Sequence, residues 1–379
     1  MNKFLLRPRI LVPHILVPHI LTLIGYFFLS VCTSAAPYTP QSGDEIIARW
    51  TITNSTLKTL KTDLHLKPDD LVKTLELTNA YLAQAAQPGQ SRFYGLAQAA
   101  LKPFIEKNSS NKDLWLAWAQ VQQHQHNFLI AQDALTKVLQ EDPINENANL
   151  LAARIYVIQD KPLAARNACL KLLGSADLLT VTACSLEANA YLHPDDLKNN
   201  YQQLEDLIKR QGLPSDERAN WLIQLLADLA MRNKEPEIAA KWLEQRLQNA
   251  SVNYLAQWAD VQLALNNSIL VMNHLSPIVN NTPDIDDALL LRLTIAEKNL
   301  NQTNHWQTIL AERVSLREQR QDSLHASELA LYYLDINPNP QKALYWAKTN
   351  FSNTREYNDK QLLARAEKVN ENSQTKGIQ

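Results

Sequence analysis

Apolar residues recur along this chain every three or four positions, the spacing of a helix with one face turned to a core. Residues 71–82 carry Leu71, Leu75, Leu77, Tyr81 and Leu82 in this register, and later segments repeat it as far as residue 369. Pro68-Asp69-Asp70 reads as a helix start, with Pro in the first turn and acids near the positive end of the helix dipole. Gln87-Pro88-Gly89, Gly212-Leu213-Pro214 and Asn337-Pro338-Asn339-Pro340 read as stops. A second, longer period overlies the first. Ala97, Ala131 and Ala165 stand 34 residues apart, followed four positions on by Leu101, Leu135 and Cys169. Small side chains at a fixed interval let paired helices cross closely, while the bulky ones fill the gap to the next pair. The pattern predicts stacked helix pairs over residues 67–370, a capping segment over 37–66 with a helix at 44–62, and a disordered polar tail at 371–379.

A 34-residue helix–turn–helix period resembles the tetratricopeptide repeat. In residues 112–145, Trp115, Trp118-Ala119, Gln122, Ala131, Leu135 and Pro143 match its W-x₂-L-G-x₂-Y…A-x₃-F…P pattern in register. Residues 252–285 copy that unit with Leu255, Trp258-Ala259, Gln262 and Pro283, and 146–179 offers Ala152-Ala153, Tyr156, Ala165 and Cys169. Residues 178–219 match the pattern poorly. The resemblance implies an all-α, right-handed α-solenoid of stacked helix–turn–helix repeats whose first helices line a concave groove. Projected through that register, the groove face takes Leu116, Gln120, Gln123, Arg154, Trp221, Asp228, Arg232, Asp260 and Tyr332, with His124, Leu150, Val157, Thr294 and Glu297 beside them. The resemblance implies a protein or peptide partner held there. The Lys/Asn set that grips a free C-terminal carboxylate in some relatives is absent, which favours an internal segment or a folded partner.

Composition narrows the chemistry. The chain has 379 residues and only 7 Gly, where average usage gives about 25. Phosphate-binding loops and nucleophile elbows need Gly for positive φ or close backbone approach. No HExxH, GxSxG or GxxxxGK[ST] pattern occurs, and no Cys/His metal spacing, so the chain reads as a non-enzymatic protein without cofactor or metal. The acid pairs Asp69-Asp70, Asp195-Asp196 and Asp286-Asp287 fall at helix starts and serve the dipole there. Net charge is −2, and removing residues 1–36 leaves 34 basic against 39 acidic residues. No basic run exists to release counterions from a nucleic acid.

Residues 1–36 read as an export signal. Lys3, Arg7 and Arg9 precede an apolar stretch at 20–31, and Thr33-Ser34-Ala35-Ala36 supplies small residues for cleavage. Two alternatives stay open: an uncleaved anchor over 10–31, giving membrane association through the N-terminus, and a lipid-modified Cys32 in the lipobox-like Leu29-Ser30-Val31-Cys32. All three place the body of the chain in the periplasm or outside, as an exported bacterial envelope protein. That compartment permits a disulfide between Cys169 and Cys184; two small buried hydrophobes are the other reading. The functional expectation is a protein-interaction scaffold of the cell envelope. Its alternative is a helical subunit of a cell-wall-acting enzyme, or an accessory factor for envelope polymer export or assembly. Since each repeat should contact only its neighbours, broad or multi-step thermal unfolding is expected.

Overall fold

Seven of the described α-helices begin at a side-chain cap that the sequence supplies. Asn54, Asp70, Asn111, Asn145, Asp177, Ser251 and Asn339 each accept a hydrogen bond from a backbone N–H in the first turn of the adjoining helix. The computed structural model describes residues 54–107, 110–282, 284–302 and 304–376, together with Ser42. Export segment, Cys32 and the first part of the capping helix lie outside the described residues, as does Pro283. The chain divides into two compact units, Met1–Ile52 and Thr53–Gln379, and every described helix belongs to the second.

An opening helix α1 (Ser55–Leu66) is followed by pairs: α2 (Leu71–Ala85) with α3 (Arg92–Glu106), α4 (Lys112–His124) with α5 (Phe128–Glu141), and α6 (Glu146–Ile158) with α7 (Pro162–Leu170). Next come α8 (Leu178–Leu192) with α9 (Leu197–Gln211), α10 (Arg218–Arg232) with α11 (Pro236–Leu243), and α12 (Val252–Ala264) with α13 (Ser268–Asn280). Then α14 (Asp287–Asn299) pairs with α15 (His305–Gln319), α16 (Ala326–Leu331) with α17 (Pro340–Asn353), and α18 (Tyr357–Lys376) closes the stack. The fold is an all-α solenoid of helix–turn–helix pairs, with no strand among the described residues. Helix α18 continues to Lys376, past the end expected near Val369, with residues 371–375 mostly exposed.

The two sequence periods have the physical basis the pattern suggested. Ala97, Ala131 and Ala165 are fully buried, as are Ala119 and Ala259, where helices of one pair cross. Gln122 and Gln262, equivalent in the two best-matching units, are each 1% exposed. Each accepts a hydrogen bond from an Asn five positions on, Asn127 at 2.9 Å and Asn267 at 2.8 Å.

First helices end in a recurring way. His126, Asp160, Lys234, Asn266 and Asn301 all have φ between 51° and 63°, one residue past the C-caps of α4, α6, α10, α12 and α14. The amide after each of them bonds back to the carbonyl five residues earlier, as in Asn127 to Gln122, Lys161 to Tyr156 and Glu235 to Ala230. These are Schellman ends, ordinarily built on Gly. A Gly-poor chain builds them on other residues.

The stack curls until distant pairs touch. Ala86 accepts from the Val252 amide at 3.0 Å and Gly89 donates to the Asp286 carboxylate at 2.7 Å, across 197 positions. Two helix pairs further on, Ile158 accepts from the Arg355 amide at 2.7 Å, and Asp160 pairs with Lys360 at 2.7 Å, across 200 positions. Both contacts join the turn inside one pair to an entry turn several pairs later.

Candidate functional site

Charged side chains line the inner helices and pair across pair boundaries. Arg154 on α6 meets Glu187 on α8 at 3.0 Å, and Asp260 on α12 meets Arg292 on α14 at 2.7 Å. The spacings are 33 and 32 residues, one repeat each. Between these pairs sit Asp228 and Arg232 on α10, 3.3 Å apart. Arg232 also donates to the Ala190 carbonyl at 2.6 Å and lies 4.6 Å from the Tyr191 ring centroid. Its side chain is 4% exposed.

Beside Arg154 opens a cavity of about 320 Å³, lined by Gln123, Leu150, Arg154, Val157, Glu187 and Trp221. Its floor includes the disulfide between Cys169 on α7 and Cys184 on α8, whose Cα atoms are 5.6 Å apart. The volume is at the small end of ligand pockets. Burial pushes the Glu187 and Asp228 carboxyls up despite the neighbouring guanidiniums, and Glu356 adds like charge to both. Glu356 is also the largest influence raising Arg154, ahead of Glu187. At one end of this face, Tyr94 stacks on His124 with ring centroids 4.5 Å apart. His124 presents surface to water yet its ring packs against Tyr94, and burial, with His126 beside it, lowers its imidazole to about 4.

Of the residues the repeat register projected, Gln123, Arg154 and Trp221 come together at the cavity. Asp228 and Arg232 form the adjoining ion pair and Asp260 the next one. Leu116 and Gln120 are half-buried on α4 without lining the cavity. Tyr332 is not on the groove surface: it is 4% exposed and packs edge-on against Tyr333 in the core. A 3₁₀ turn at Ser323–His325 and a π turn at Tyr332–Ile336 change the helical phase there, so 3.6-residue counting fails. Thr294 and Glu297 are also buried, at 0% and 3% exposure. Arg292 faces Asp260 instead, so the α14 register runs two residues earlier than a uniform repeat would.

Sequence reasoning passed over Glu187, Tyr191, Arg292 and Glu356. The first and third were within reach, standing one repeat beyond Arg154 and Asp260; Glu356 becomes a groove residue only through the curl of the stack. It also passed over a cavity of about 480 Å³ between α9 and α11, bordered by Tyr201, Glu205 and Trp242. There Trp242 Nε1 donates to the Tyr201 hydroxyl at 2.9 Å, which donates to Glu205 at 2.8 Å. Among the described residues no three His, Cys, Asp or Glu side chains gather as a metal would need, and no helix is long and apolar enough to cross a membrane.

No protein-family model and no curated protein sequence matches the chain. Among solved structures it is similar to a chain of the Naa15/Naa10 complex bound to HypK-THB, at 14% identity and TM-score 0.31, covering 82% of this chain. It spans about half, 48%, of that matched chain. It is likewise similar to the TPR domain of P58(IPK), at 14% identity and TM-score 0.29, covering 80% of this chain and 99% of that one.

Proposed function

We propose that this chain is a protein-interaction scaffold of the bacterial cell envelope, exported through its N-terminal segment, which holds a peptide segment or protein partner against its inner helices. The observation that carries the reading is the cavity at Arg154 together with the charged pairs that continue from it along α6, α8, α10, α12 and α14. Charge presented in a partly enclosed groove selects partners by complementarity more than by contact area. Ion pairs between successive inner helices hold the groove in one geometry, so that binding orders little of the receptor.

Photo-crosslinking in envelope fractions tests this. Crosslinkers at Gln120 and Gln123 should attach a specific protein, whereas one at Lys137 on the far side of the same pair should not. Equal labelling from both sides, or none from the inner one, removes the scaffold reading. The intact mass of the mature protein tests the location. Cleavage near Ala36, an acylated Cys32 or a retained segment each predicts a different mass, and a cytoplasmic chain of full mass would contradict export.

A further inference from the structure

The entry turn of α18 reaches into the inner face and supplies protein chemistry to it. Besides the Arg355 amide bonded to Ile158, the Glu356 carboxylate meets Arg154 Nη2 at 2.8 Å, and the Tyr357 ring centroid lies 4.8 Å from the Arg232 guanidinium. Arg154 therefore holds two carboxylates of different standing. Glu187 is fixed in the middle of α8. Glu356 precedes the first turn of α18, so rotation about its own side-chain bonds would suffice to release Arg154. The rest of α18 stays in place, because Leu362 and Ala366 are in the core at 8% and 0% exposure.

We propose that Arg154 and the cavity beside it recognise a partner segment bearing a carboxylate with an aromatic ring at a neighbouring position, and that Glu356 is the chain's own stand-in for that carboxylate. This rests on the scaffold reading and names the partner's chemistry. The incoming carboxylate replaces Glu356 rather than joining it, since Glu187, Glu356 and Asp228 already crowd like charge around one guanidinium. The ring enters the cavity, whose walls at Leu150, Val157 and Trp221 are apolar or aromatic. An offset aromatic pair with Trp221 adds to the burial.

The probe is a fluorescent peptide copying residues 352–362, SNTREYNDKQL, titrated by anisotropy into the full chain and its variants. Glu356→Gln leaves a surface side chain of the same shape that no longer holds Arg154 by charge. If Glu356 occupies Arg154 nine-tenths of the time, releasing it tightens the peptide about tenfold. Replacing the peptide's Glu by Gln or its Tyr by Ala should erase that gain, and Arg154→Gln should abolish binding while circular dichroism confirms an intact fold. Equal affinity for the wild type and Glu356→Gln, no binding to either, or binding retained by Arg154→Gln overturns the proposal. So does a dimer of the unmixed protein in sedimentation that Arg154→Gln dissolves, because the occupant is then a second copy. A partner crosslinked equally in the wild type and Glu356→Gln defeats this inference while leaving the scaffold reading intact.

Discussion

Gly89 occupies a place no side chain fits. Its φ is +72°, and a Cβ there would lie 2.5 Å from the Thr282 Cβ and 2.8 Å from the Asp284 carbonyl oxygen. Left-handed strain and the forced separation of two backbones act together, so Gly89→Ala should cost about 2–4 kcal/mol in chemical denaturation. An unchanged midpoint would mean that the coils do not touch there. Lys234 is the converse case, a long side chain at φ +63° in a Schellman end. Lys234→Gly relieves that strain and should raise the melting temperature more than Asn266→Gly does, because Asn tolerates this conformation already. His124 gives a pH signature. Its folded value of about 4 lies below the ordinary 6.5, so both states are neutral above that range. As pH falls through 6.5 the unfolded chain takes the proton first, and stability drops until the folded value is reached. Glu187 and Asp228, raised in the fold, act oppositely, favouring the folded state at low pH and losing that contribution as pH rises. Comparing His124→Gln with the wild type at about pH 8 and about pH 5 isolates the imidazole, and the variant should lose less on acidification. At this scale the sequence was readable where a residue repeats, as Gln122 and Gln262 do. It was silent on Gly89, whose reason lies almost two hundred positions away.

Among the elements, the best-matching pairs were legible because their small residues mark the crossing points. The α14–α15 pair was not, because its register is set by a buried acid rather than by spacing. Glu297 accepts from the amides of His305, Trp306 and Gln307 at 2.8, 3.1 and 3.0 Å. One helix thus caps the start of the next, a role that a groove projection assigns to solvent. Glu297→Ala leaves these donors without their acceptor and should cost about 2–4 kcal/mol, with Glu297→Gln costing less because it keeps one acceptor oxygen. Equal losses for the two variants would show that packing, not the cap, holds α15. Next to it, Asp287 is 6% exposed and is held by Arg313 and by Arg317, the latter at 2.8 Å. The motif reading that took Asp286-Asp287 for a dipole-favouring helix start therefore covered part of their work. It could not see that Asp286 also accepts from Gly89.

For the whole molecule, contacts between coils alter the unfolding expected of a linear array. Hydrogen bonds from α2–α3 to the entries of α12 and α14, and from the α6–α7 turn to the entry of α18, couple pairs that are not neighbours. Calorimetry should accordingly give a narrower transition for the wild type than for Gly89→Ala, which uncouples the first of these joints. The disulfide closes a loop of 15 residues, and its reduction should cost about 3 kcal/mol by the chain-entropy model. Because the bridge floors the cavity, reduction should also weaken the peptide titration; undiminished affinity would separate the cavity from binding. The inner face itself was only half legible. Repeat register put Gln123, Arg154 and Trp221 on one face of the array, but which carboxylate would reach Arg154 depends on how far the stack turns.

That joint between coils also removes a freedom that repeat arrays commonly have. In an open array a unit can be excised or duplicated, and the remainder simply becomes shorter or longer. Here, losing one helix pair between residues 90 and 250 would rotate everything downstream by one step. Gly89 would then face a different turn, and the acid it bonds would be carried away from it. Length in this chain is thus quantised, and inserting or deleting a unit amounts to rethreading the spiral.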